Sequence, residues 1–234
     1  RGRVVGRLPV SRMGEVPPRA VKMAQNLETP PGYTWNERAR RYRDAQTGRF
    51  VSYAGVYRLL DANEDANLQL VRSLTDSLRA GDLPLPAWYL AVQGQLRRLH
   101  VQCAALGAGG FDNLRPGDLI RIDRKLREEM DRLLVFGQQM QAGLLSEAQI
   151  DNRLTMYTGT ARIQFYKSRR KPQVAPDEMI VERRSLMPAD HCPFCLYLVD
   201  LGWQPYGVLP VPGETHPDWT EDSCLSNCRC RMDQ

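Results

Sequence analysis

A mainly α-helical fold is what this 234-residue chain predicts: antiparallel helical hairpins, about four helices in all, between an extended basic arm and a small cysteine-rich segment. Three observations predict it. Apolar residues recur at spacings of three and four through the middle of the chain. Glycine and proline interrupt that pattern where helices would end. Five of the six cysteines lie in the last 43 residues.

Residues 1–50 read as the arm. Pro9, Pro17, Pro18, Pro30 and Pro31 fall within the first 34 residues, which have no sustained apolar period and cannot pack a core alone. Thr47-Gly48 reads as a turn, and Phe50-Val51 as the start of an extended segment docking onto the body.

Residues 51–172 read as the helical domain. Leu59, Leu60, Leu68, Leu70, Val71, Leu74 and Leu78 give one buried face to a first helix, Tyr57–Arg79, which Gly81 and the Pro84/Pro86 pair stop. Trp88, Leu90, Leu96, Leu99 and Cys103 mark a second, from about Ala87 to Leu106, ended by Gly107, Gly109 and Gly110. Pro116 precedes a third, which begins near Asp118 and runs towards Gly143. Ser146-Glu147-Ala148-Gln149 is a capping box that opens a fourth, continuing to Arg169-Arg170-Lys171. The Ala-Gly ends and short links at Gly81 and Gly143 force antiparallel neighbours. In residues 173–234, Met179–Arg184 reads as a short strand before turns and cysteines take over.

Composition narrows the function. Hydrophobic residues make up 42% and charged residues 25%, an ordinary globular balance. The longest uncharged run, Leu83–Leu96, contains two prolines and falls short of the roughly 18–20 apolar residues of a membrane span. The opening Arg-Gly-Arg-Val-Val-Gly-Arg lacks the apolar core of a signal peptide. A membrane role and classical secretion are therefore not expected. Net charge is +5, unevenly placed: residues 1–50 hold 11 Lys/Arg against 4 Asp/Glu. Such an arm seeks a negative surface on protein or nucleic acid, with Tyr33, Trp35, Arg40, Arg41, Tyr42, Arg43, Arg49 and Phe50 as its candidate contacts.

The cysteines carry the chemistry. Cys192-Pro193-Phe194-Cys195 is followed after 28 residues by Cys224, Cys228 and Cys230. A Cys-x-x-Cys turn presents two thiolates from one tight loop, and a second cluster about 30 residues on completes a tetrahedral sulfur site of the zinc-ribbon kind. Zinc fits such donors, with no open position, so the site is structural. Disulfides are the competing reading, weakened by the expectation of a reducing compartment. Five thiols for four positions leave the set open between a Cys228/Cys230 and a Cys224/Cys228 pairing. His191 and His216 are further candidate ligands, although a lone loop histidine is more often solvated than ligating; Cys103 reads as a core residue, and His100 as a surface or boundary residue. Glu128-Glu129 and Glu221-Asp222 are paired only in sequence, and no Gly-rich phosphate loop or metalloprotease motif occurs. An enzyme, and hence a small-molecule substrate, is not expected.

His191-Cys192-Pro193-Phe194-Cys195, Leu201-Gly202-Trp203, Leu209-Pro210-Val211-Pro212-Gly213 and Asn227-Cys228-Arg229-Cys230 together resemble the C-terminal signature of tailed-phage head morphogenesis proteins, the minor capsid proteins similar to the F protein of phage Mu. Trp88, His100, Gly109-Gly110, Arg153 and Tyr157 stand where that group has similar residues in its helical region. The resemblance covers roughly residues 55–234, and Cys224 departs from the basic pattern. It implies Cys192, Cys195, Cys228 and Cys230 as zinc ligands, with Cys224 as the substitute. It also implies a structural virion protein of the head or portal vertex, made in the bacterial host cytoplasm, with capsid, portal or neck proteins and packaged DNA as partners. A nucleic-acid-binding zinc-ribbon protein with a basic arm is the alternative. It is the weaker one, because Arg183, Arg184, Arg229 and Arg231 are the only basic residues after Lys171.

Overall fold

A computed structural model describes residues 32–39, 41–170, 181–187, 190–214, 228 and 230–233. The chain is mainly helical, as its periodicity predicts. Helix α1 (Tyr53–Ala80) starts where Ser52 Oγ accepts the Gly55 N–H at 3.1 Å, and ends at Gly81 with φ +83°. Its buried face is Tyr57, Leu60, Glu64, Asn67, Val71, Thr75 and Leu78, spaced by three or four. Helix α2 (Leu85–Ala108) admits Pro86 because its first turn needs no N–H donor there. A 3₁₀ turn at Phe111–Asn113 leads into α3 (Pro116–Gln141). The capping box before α4 (Glu147–Gly159) forms in both directions: Ser146 Oγ accepts from Gln149 N, and Gln149 Oε1 from Ser146 N.

The expected fourth helix is two helices. It breaks at Thr160-Ala161, where Ala161 N bonds back to the Thr158 carbonyl, and resumes as α5 (Arg162–Arg169). Gly159 and the Thr158 and Thr160 hydroxyls, which bond back to preceding carbonyls, weaken the ladder there. The break turns α5 onto α2, which packs against α1, α3 and α5 and so forms the centre of the bundle.

Two apolar clusters result. In one, Trp88 is fully buried among Val71, Val92, Leu133, Phe136 and Tyr157, and its Nε1–H donates to Thr75 Oγ1 at 3.3 Å. The other holds Tyr57, Leu60, Leu99, Cys103, Phe165 and Tyr166. No helix among the described residues is long and apolar enough to cross a membrane.

The second cluster changes the expected division of the chain. Residues 33–50 are a hairpin, not an extended arm: β1 (Tyr33–Asn36) pairs antiparallel with β2 (Arg41–Asp44), Trp35 opposite Tyr42. Tyr42 is 2% exposed, and its hydroxyl donates to the Leu106 carbonyl at 3.0 Å. The Trp35 ring lies against Gly109, whose φ of +92° closes α2. Phe50 bridges to Arg43, and Val51 N donates to the Tyr42 carbonyl, so this stretch docks onto the body as read. The C-terminal unit is equally integrated. Strand β3 (Val181–Ser185) lies between β4 (Gln204–Pro205) and β5 (Arg231–Asp233), antiparallel to both, with helix α6 (Pro193–Asp200) packed on it. Leu198, Leu209, Val211 and Met232 enter the same core as Tyr57 and Tyr166. Expected boundaries near 50 and 172 thus cut through one continuous core. Residues 1–31 and Arg40 lie outside the described residues.

Candidate metal centre

Cys195 sits in the first turn of α6, held there by Pro193 at the first helical position and by Cys192, which caps the helix in extended conformation. Cys228 and Cys230 arrive from the other side, Cys230 immediately before β5. Register places the end of that strand: Met232 faces Arg184 of β3, and its carbonyl accepts the Tyr57 hydroxyl at 2.9 Å. The Tyr166 hydroxyl donates to the Cys230 carbonyl at 3.2 Å. Two helical tyrosines therefore fix β5 and the cysteine directly before it.

The sulfurs of Cys195, Cys228 and Cys230 lie within 4.8 Å of one another, and all three residues are buried. Cys195 Sγ and Cys228 Sγ, 33 residues apart in sequence, are separated by 3.7 Å. A disulfide needs about 2.05 Å, so these two cysteines are not joined by one. Two ligands on tetrahedral zinc at about 2.3 Å stand about 3.8 Å apart, which is the spacing found. Cys192 is half-buried and packs against the trio.

The electrostatics of the site favour neutral thiols in the absence of a cation. A hydrogen bond from the Cys195 side pulls the Cys230 thiol down. The Cys228 hydrogen bond, burial and the charge of Cys228 outweigh that pull, and together push it up to about 12. Packed this tightly, the thiols resist ionising together, and a divalent ion held among them would supply positive charge. The residues present fit such an ion. Arg184 adds to the case: it is 2% exposed, and its Nε and Nη1 have no hydrogen-bond partner among the described residues. It nevertheless sits close enough to Cys230 to favour the thiolate.

Of the expected ligands, the structure joins Cys195, Cys228 and Cys230, with Cys192 beside them. Cys224 and His216 lie outside the described residues. His191, a further candidate weighed against a solvated position, stands next to the cluster, its Nδ1 3.6 Å from Cys230 Sγ. The available signal was its place directly before the Cys-x-x-Cys turn. Cys103 is a core residue as expected. His100, expected at the surface or at a boundary, is fully buried; Nε2 lies 3.7 Å from Glu129 Oε2 and 3.4 Å from Thr160 Oγ1. Its flanking arginines disguised a position that faces α3 and the α4–α5 break.

The expected partner contacts of the arm divide differently. Trp35 and Tyr42 face the chain's own helices, 4.9 Å apart edge to face. Arg41 and Arg43 stack on the Phe50 ring, at 4.9 and 4.3 Å. Arg49 and Phe50 remain exposed, and Tyr33 is half-buried. A cavity of about 290 Å³ opens beside the hairpin, lined among others by Trp35, Arg41, Tyr53, Phe165 and Arg169. Comparison with protein-family models, with curated proteins and with solved structures gave no match.

Proposed function

We propose that this chain is a structural, non-catalytic component of a tailed-phage head or portal vertex, acting through protein–protein contacts and stiffened by one structural zinc. The observation that supports it most is the convergence of Cys195, Cys228 and Cys230 from the two halves of the Cys-x-x-Cys and Cys-Arg-Cys signature. Three thiolates and one further donor would leave no open coordination position, which suits bracing and not catalysis. The metal's binding energy would then count as folding energy for α6 and β5.

The same unit exposes Leu196, Tyr197, Trp203 and Val208. Exposed aromatic and aliphatic side chains gathered on one small unit favour a protein partner. The basic composition of residues 1–31 adds attraction for acidic capsid, portal or neck surfaces, or for packaged DNA.

Mass spectrometry of purified particles, with stoichiometry, tests the reading. It expects the chain in a few copies per particle and lost from particles when residues 1–31 are deleted. A chain absent from particles that binds free duplex with a steep salt dependence would favour the nucleic-acid alternative instead.

A further inference from the structure

The cavity beside the hairpin draws its walls from separate parts of the chain. Trp35 and Arg41 come from the hairpin, Tyr53 from the first residue of α1, Leu106 from the end of α2, and Phe165 and Arg169 from α5. We propose that it binds an apolar carboxylate: an aromatic or branched hydrocarbon body ending in one carboxylate, free or as the end of a peptide chain. Neither the metal nor the virion role enters this assignment.

Size and lining define the body of the ligand. The cavity holds about 290 Å³. An apolar cavity of roughly 150 Å³ is enough for a benzene ring, so this one takes a ring and a short chain carrying a charged group. Three of its polar side chains are engaged by the protein itself. Trp35 Nε1–H donates to Glu37, the Tyr42 hydroxyl to the Leu106 carbonyl at 3.0 Å, and the Tyr206 hydroxyl to the Arg169 carbonyl at 3.4 Å. These residues line the cavity while their polar atoms are satisfied within the chain. A body with hydrogen-bonding edges, such as a nucleobase, would lose its water there for few replacement partners. A hydrocarbon body gains by burial.

Two guanidinium groups supply the anchor. Arg169 lies 4.5 Å from the centroid of the Tyr53 ring, and Arg41 lies 5.9 Å from the same centroid. Arg169 also stands 5.9 Å from the Phe165 ring, and Arg41 stands 4.9 Å from that of Phe50. Arg41 Nη2 further donates to the Val51 carbonyl at 3.2 Å. Ring faces and a carbonyl thus hold both side chains in place before a ligand arrives. A guanidinium is a planar fork of N–H donors, and it matches a carboxylate two bonds at a time. Two cations beside one ring repel each other, and an anion between them is attracted by both. Side chains already held in place lose little freedom on binding.

Isothermal titration calorimetry of the full chain with hydrocinnamate and with its amide tests the assignment. The acid should bind about tenfold tighter than the amide, the margin of one hydrogen bond to a charged group. Arg169→Gln should remove most of that preference, and Arg169→Lys, which keeps the charge, should restore part of it. Arg41→Gln is the second variant, with the same loss expected and the fold of each variant checked by circular dichroism. No detectable binding of the acid, equal binding of acid and amide, or a preference that survives both glutamine variants would overturn the proposal. Acetyl-Gly-Gly-Phe with a free end, set against its amide, separates the two sources. A preference for the free end that depends on Arg169 supports the proposal with peptide ends as ligands; binding of hydrocinnamate alone supports it with free acids. Thymidine monophosphate held more tightly than hydrocinnamate by the same arginines would overturn it in favour of a nucleotide.

Discussion

A Cβ on Gly107 would stand 2.1 Å from the backbone carbonyl oxygen of Phe165, so α2 and α5 cross with no room for a side chain between them. The obstacle is backbone and cannot rotate away. Gly107→Ala should therefore force the helices apart and cost about 1–3 kcal/mol or more. Gly94, in the same helix, meets nothing within 4 Å, and Gly94→Ala should stabilise by about 0.5–1 kcal/mol. Urea unfolding midpoints of the two variants should move in opposite directions; movement in the same direction would contradict the crossing.

This crossing also shows where sequence reasoning stops. Leu60, Val71, Leu78, Leu96 and Leu133 announce buried helical faces by spacing alone, and Ser146 with Gln149 announces a helix start through two local hydrogen bonds. Such features are short-range, so they are legible. Gly107 reads as a helix end, because only the distant Phe165 explains why it lies inside α2. Tyr42 looks like an arm residue until the Leu106 carbonyl, 64 positions away, takes its hydroxyl. The site follows the same rule. Cys-x-x-Cys and Cys-x-Cys are local patterns, whereas the meeting of Cys195 with Cys228 and Cys230 depends on the path of the chain between them.

Glu64 and Arg162 form a buried pair across α1 and α5. Oε1 accepts from Nε at 2.9 Å and Oε2 from Nη2 at 2.6 Å, with both side chains about 5% exposed. Glu64→Gln leaves a buried guanidinium short of its charge partner and should cost about 3–5 kcal/mol. The Glu64→Leu/Arg162→Leu double variant should cost clearly less than the sum of its single changes. Asp61, which also accepts from Arg162 but is 43% exposed, should matter little when changed to Asn. A double-mutant cycle by chemical denaturation measures all three, and strict additivity would deny the coupling.

His100 should give the protein a pH-sensitive stability. Burial, and then the charge of Lys125, lower its pKa from 6.5 to about 3. Below about pH 6.5 the unfolded chain takes up a proton that the folded chain refuses. The His100 contribution is therefore complete above that pH and is lost progressively towards pH 3. Glu129, raised chiefly by its burial, acts in the opposite sense: its contribution is complete below its ordinary value and declines as pH rises through the raised one. Comparing the wild-type chain with His100→Gln isolates the histidine. The wild-type stability should fall more steeply between pH 6 and pH 4, by about one proton taken up on unfolding. Equal slopes would place a charged His100 in the folded state.

Chelation should loosen more than the cysteine segment. Cys230 and Met232 are tied by their carbonyls to Tyr166 and Tyr57, and Leu198, Leu209 and Val211 lie in the same core as those tyrosines. Removing the metal should therefore weaken the near-ultraviolet circular dichroism of the buried tyrosines while far-ultraviolet helical signal is largely kept. Cys195→Ser should reproduce the effect. Unchanged aromatic signal after complete metal removal would show that apolar packing alone holds β5 in place.

The most direct test of a metal-braced C-terminal unit is the metal content of the full chain, purified without added metal and with chelators kept out. One zinc per chain is expected, with the thiols of Cys195, Cys228 and Cys230 unreactive until the metal is removed. A zinc content near zero, with those thiols intact and freely titratable in the folded protein, would contradict it.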